Sequence, residues 1–195
     1  MNFTARQEDA LREVLHLGSA QAATTLSRLT GPGGILVDVP VVLEANRWQL
    51  AWLLGGRDVS VAAVTFGVDG ALHGQMWWVL PAADARVMAQ RLLDNTRTST
   101  SAPMGESAAI LEAGNIVASV CLSAIGTFVH AQVTPSTPQL LETAVAALVG
   151  APQAEPTRCV MSASFTTTHG PRFSGRLVLL LDDESVELIV RRLGV

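Results

Sequence analysis

A chain of 195 residues is long enough to bury one full hydrophobic core or two small packed halves. Its apolar share of 49% against 15% charged residues predicts a compact globule, and a net charge of −4 without any Lys/Arg cluster argues against nucleic acid as a partner. No uninterrupted apolar run reaches 18 residues, so no membrane-spanning helix and no membrane partner are expected, and the charged start MNFTARQEDALRE lacks the apolar stretch of a secretory leader.

Residues 4–29 read as a helix. Thr4 is its N-cap, Gln7 closes a capping box, and Leu11, Val14, Leu15, Ala22, Leu26 and Leu29 recur at helical spacing. The run GPGG at 31–34 ends it. Residues 35–45 (ILVDVPVVLEA) read as a strand interrupted at Pro40, hence an edge or a bulge. Residues 59–67 and 72–80 flank Val68-Asp69-Gly70, a hairpin signal, and Pro81 opens a helix over 82–95. The polar, aperiodic stretch 96–106 (TRTSTSAPMGE) reads as a linker. A helix over 107–127, a strand over 129–135, a helical or irregular stretch over 139–149 and a loop over 150–157 follow. A hairpin, 158–167 and 173–181 across His169-Gly170-Pro171, and a helix over 183–193 complete the chain.

This order is written twice. Residues 9–28 (DALREVLHLGSAQAATTLSR) echo 108–127 (AAILEAGNIVASVCLSAIGT) at an offset of 99, which sets Glu13 on Glu112 and His16 on Asn115. DVP ending at Pro40 answers STP ending at Pro138, and residues 73–93 answer 174–194 at an offset of 101. A period near 100 residues is too long for a solenoid unit. The expected fold is α+β: a duplicated half-domain about a pseudo-twofold axis, with an antiparallel sheet faced by helices. It forms a single domain over 1–195, with half-repeat one at 4–95, the linker at 96–106 and half-repeat two at 107–195. Cys121 and Cys159 lie in apolar surroundings without CxxC spacing and are expected reduced and buried, in keeping with a cytoplasmic protein. Trp48 and Trp52 are expected in the core or facing a partner, and strand alternation turns one of Trp77 and Trp78 outward.

Chemistry is sought on the first helix of each half. Glu13 and His16 are three apart and share a face with Asp9 one turn earlier, and Glu112 and Asn115 repeat that spacing. Such a pair, met once, is ordinary solvated helix surface. Its recurrence at matching positions of two otherwise apolar helices gives it weight. Glu13-x-x-His16 has the spacing of di-iron bundles, but the second half offers Asn115 and no further Glu/His pairs match it. His73, His130 and His169 are isolated and make no zinc set. There is no GxSxG elbow, and no GK[ST] follows Gly18, Gly31, Gly33 and Gly34.

The segments LEAGNI (111–116) and EVLHLGSAQAATTLS (13–27), with Glu112 lying 26 residues before Pro138, resemble the CheC/CheX/FliY family of bacterial chemotaxis phosphatases, with CheC the nearest in pattern. These dephosphorylate the response regulator CheY. Their signature is an acidic or Ser residue, three residues, Glu, two residues, Asn, and a Pro about two dozen residues on. The resemblance spans nearly the whole chain, since the doubled order and the hairpins also match. It implies a phosphatase acting on the aspartyl phosphate of a CheY-like receiver. Asn115 would hold a water in line with the leaving carboxylate, because a neutral amide offers one donor and one acceptor. Glu112 would pair with a cation of the receiver. No metal or cofactor is implied on this chain; Mg²⁺ is expected on the receiver.

The chain also departs from the signature. His16 replaces the Asn of the first half, leaving Asp9, Glu13 and His16 as a degenerate second site, since an imidazole orients water differently and can carry charge. Ala108 stands where the family has Ser or an acid, beside Ser107 and Glu106. The alternative reading is therefore a catalytically weak CheC-like protein that binds a receiver domain or the deamidase CheD and acts as a regulator.

Overall fold

The computed structural model describes residues 3–96, 105–150 and 158–195. Most of the expected linker (97–104) and of the expected loop (151–157) lies outside them. In chain order the elements are α1 (Ala5–Leu29), β1 (Ile35–Val37), β2 (Val41–Ala45), α2 (Arg47–Leu53), β3 (Ser60–Gly70), β4 (Gly74–Pro81) and α3 (Ala82–Thr96), then α4 (Glu106–Phe128), β5 (Val133–Pro135), β6 (Gln139–Ala144), α5 (Val145–Val149), β7 (Arg158–Thr167), β8 (Ser174–Leu181) and α6 (Asp183–Leu193). The succession helix, two short strands, short helix, hairpin, helix thus occurs twice.

All eight strands join one antiparallel sheet in the order β1-β7-β8-β4-β3-β5, with β2 also on β7 and β6 also on β3. The opening strands of each half therefore pair with the hairpin of the other half. At the centre, β4 pairs with β8, and the register sets Trp77 opposite Val178. Those two residues are 101 positions apart, the offset at which the two hairpin segments match in sequence. Pro40 separates β1 from β2, and both lie at the sheet edge on β7, as a proline that cannot donate to a ladder requires.

The sheet is covered on both faces. On the front, Leu11, Val14 and Leu15 of α1, Met88 of α3, Val117 and Leu122 of α4 and Ile189 of α6 bury against Val64, Trp78, Met161 and Leu179. On the back, the short helices α2 and α5 bring Leu50, Ala51, Val145 and Val149 onto Ala63, Trp77, Val160 and Val178. The expectation that one of Trp77 and Trp78 faces outward is therefore corrected: both are buried, because the second face has its own core.

α1 begins at Thr4 with the capping box to Gln7 in place. The hairpin turn falls at residues 71–73 rather than at Val68-Asp69-Gly70, because Asp69 and Gly70 stay in the ladder, paired with Thr134 and Val133. The strand expected over 129–135 is confined to Val133–Pro135, since His130 takes a positive φ of 52° and the Ala131 amide returns to Gly126 to close α4. The stretch 139–149 divides into strand β6 and helix α5. Helix α2, unanticipated from periodicity, is capped by Asn46 and exposes Trp48 (56%) and Trp52 (82%), with the Arg57 guanidinium 4.6 Å from the Trp48 ring centre. α4 is long and apolar enough to cross a membrane by length and composition, although Glu112, Asn115 and Ser119 interrupt its apolar run; half of that stretch is buried, in the front core against α1, α3 and the sheet.

Candidate functional site

The two motif helices pack side by side. Gly18 of α1 lies so close to α4 that a β-carbon there would fall 2.9 Å from Cys121 Sγ and 3.1 Å from the Cys121 carbonyl oxygen. The helices run antiparallel: α1 leads into β1 and α4 into β5, which close opposite ends of the sheet. Moving from the Gly18–Cys121 crossing, His16 and Asn115 lie in opposite directions, about 12 Å apart along the helix axes at ~1.5 Å per residue. The structure groups Glu112 with Asn115, and Asp9 with Glu13 and His16, but it does not merge the two sets.

On α4 the buried stripe runs through Ala109, Ile110, Ala113, Gly114, Val117 and Ala118. Glu112 falls outside it and is exposed; Asn115 sits on its border and is half-buried, as is Ile116. Among the described residues neither the Glu112 carboxylate nor the Asn115 amide has a hydrogen-bond or ion-pair partner, so both remain available to another molecule. The helix starts at Gly105 with no side-chain cap, and Glu106, Ser107 and Ala108 are exposed on its first turn. Gly114, next to Asn115, faces Val64 of β3.

On α1, Leu11, Val14, Leu15 and Gly18 are buried while Asp9, Glu13 and His16 are exposed. Sequence reading passed over Arg12, although its spacing to Glu8 and Asp9 is that of helix-surface pairs. Its guanidinium bonds Asp9 Oδ1 at 2.5 Å and Glu8 Oε1 at 2.6 Å. Exposed pairs of this kind add little stability. Their local effect is larger, since the Asp9 carboxylate is occupied by a neighbour on its own helix. The α1 site thus differs from the α4 site twice, in having an imidazole for an amide and a cation among its acids.

Cys121 and Cys159 are free and buried. Burial pushes each thiol up to about 12, with Glu44 and Asp183 adding to the rise at Cys159. Among the described residues no three His, Cys, Asp or Glu side chains gather as a metal site.

No protein-family model matches the chain. In sequence it is 27% identical over 198 residues to the CheY-P phosphatase CheC of Bacillus subtilis, spanning 96% of this chain and 94% of that protein. In structure it superposes on the crystal structure of FliY from Thermotoga maritima with a TM-score of 0.75 at 18% identity, covering 100% of this chain and 98% of that one. A chain of the CheX–CheY–BeF₃–Mg²⁺ complex from Borrelia burgdorferi matches with a TM-score of 0.51 at 11% identity, over 86% and 98% of the two chains. The mixed fold of helices on an antiparallel sheet is common to them.

Proposed function

We propose that this relative of the CheC, CheX and FliY proteins is a phosphatase for the aspartyl phosphate of a CheY-like receiver, working chiefly through Glu112 and Asn115 of α4. The observation that carries the reading is the pair itself: an exposed carboxylate and a half-buried amide, one turn apart on a helix, with no partner among the described residues. The receiver supplies its phosphoryl-aspartate and its own Mg²⁺. Asn115 contributes an amide whose donor and acceptor hold the attacking water in line, and Glu112 binds a receiver cation to fix the helix against the site. The whole-length likeness to the B. subtilis CheY-P phosphatase and the fold shared with a chain of a CheX–CheY complex support a CheY-like partner. In this reading residues 4–95 and 107–195 are two copies of one unit, joined by the 96–106 linker in a single domain and acting in the cytoplasm.

The second reading, a regulator that binds a receiver or CheD with little catalysis, is favoured by the α1 site. There Arg12 occupies Asp9 and His16 replaces the amide. The lifetime of a phosphorylated receiver, measured with and without this protein, separates the two. Faster loss of phosphate supports the phosphatase; an unchanged lifetime together with measurable binding to the receiver establishes the regulator.

A further inference from the structure

On the back face of the sheet, opposite α1 and α4, lies a cleft with one polar end and one apolar wall. The β7–β8 register sets Arg176 opposite Ser164 and Val178 opposite Ser162, and residues so paired project from the same face. Arg176 donates from Nη1 to Ser162 Oγ at 3.2 Å. Among the described residues it makes no ion pair, and its other N–H groups have no protein partner. The side chain is half-buried; burial draws its pKa down while the charge of Asp38 opposes that shift. It is a partly desolvated cation that feels the charge of Asp38 without forming an ion pair with it. Arg176, Ser164 and Thr166 line a cleft of about 230 Å³, closed on the other side by Leu53, Leu54 and Val79. Ser174, also at the rim, is already engaged with Asp84 through its amide and hydroxyl, so it offers a ligand no free donor.

We propose that this cleft binds a small amphipathic carboxylate, paired through its oxygens with the Arg176 guanidinium and the Ser164 and Thr166 hydroxyls, with its hydrocarbon part against Leu53, Leu54 and Val79. The guanidinium fork matches a carboxylate in two parallel hydrogen bonds, whereas a compact ammonium would not. With one cation in the lining, Asp38 near it and the Asp84 carboxylate held at the rim by Ser174, the cleft suits a monoanion better than a phosphate dianion. The volume is below the ~300–1,000 Å³ of sites for drug-sized ligands, so the ligand is small. The site lies across the sheet from the motif helices and does not depend on the phosphatase reading.

Titrating hexanoate into the full chain, followed by ¹H–¹⁵N NMR, tests this. Saturable shifts at the Arg176 side-chain N–H and the Ser164 and Gly55 amides are expected, with no saturable response to hexanol or inorganic phosphate. Arg176→Met, which keeps the alkyl stem, should weaken hexanoate binding at least about tenfold. Ser164→Ala, a mild change at a half-exposed position, should weaken it by a smaller factor and serves if the Arg176 variant fails to fold. Absence of saturable shifts, undiminished binding by the folded variants, or phosphate binding as tightly as hexanoate would overturn the assignment.

Discussion

Val64 of β3 stands against the bare backbone of Gly114 on α4: a β-carbon built there would lie 2.9 Å from Val64 Cγ2 and 3.0 Å from its Cβ and Cγ1. Val64 is fully buried and, as a β-branched residue, cannot turn aside. The contact sets how deeply α4 lies on the sheet, and Asn115 is the next residue along. Gly114→Ala should therefore lift α4, with an overpacking cost of about 1–3 kcal/mol. Better helix propensity offsets it by about 1 kcal/mol. Urea unfolding should show net destabilisation, and receiver dephosphorylation should fall with it; an unchanged midpoint would mean that α4 shifts without cost.

Asn115→Ala should lower the phosphatase rate about 10²-fold, the usual scale for losing a group that positions a reactant. Glu112→Ala should act mainly by raising KM for the phosphorylated receiver with kcat largely kept, since its contact is made in the ground state as well as in the transition state. Steady-state kinetics on a phosphorylated receiver distinguishes these. A large kcat effect from Glu112→Ala, or none from Asn115→Ala, would reverse the assigned roles.

Elements with a signal in their own residues were readable. α1 carries its capping box and α6 its apolar period, and both match their expected spans within a residue. The helix α2 was not, and α5 only as part of a helical or irregular stretch over 139–149, because at seven and five residues they span fewer than two turns, too few to establish an apolar repeat. They form because the back of the sheet needs cover, a demand arising from strands far away in sequence. The same cover hides Trp77, which alternation on an open sheet turns outward. At the candidate site, Glu112 and Asn115 are picked out by the repeated pattern and the family resemblance, but the half-burial of Asn115, beside the residue that meets Val64, was not readable from sequence. Arg12 could have been recognised from its spacing to Glu8 and Asp9, and Arg176 could not, since its surroundings are assembled by strand pairing.

Stability should fall as pH rises above about 9. Cys121 and Cys159 ionise near 9.0 when unfolded and near 12 when folded, so between those values the unfolded chain has released protons that the native one retains. Each thiol then contributes a loss of about 1.4 kcal/mol per pH unit, and its contribution is fully present below pH ~9. Urea midpoints at pH 8, 9 and 10 check this. Cys121→Ala should flatten the decline, and a flat wild-type profile would show that the thiols titrate freely in the native state.

The α1 site offers the converse of a knockout. It keeps Glu13 exposed at the position matching Glu112, and it lacks the amide because His16 stands where the second half has Asn115. Placing His16→Asn in an Asn115→Ala background removes the contribution of the second half, so any regained rate comes from α1. If the amide alone is missing, phosphatase activity should return by about tenfold or more over Asn115→Ala, out of the ~10² a well-placed group supplies. Arg12 works against full recovery, because its guanidinium occupies Asp9 and brings a positive charge to a face that must meet a receiver cation. Adding Arg12→Ala should then raise the rate further while changing stability by no more than a few tenths of a kcal/mol, as expected for exposed helix pairs. No recovery in either variant would assign α1 to packing against α4 rather than to catalysis.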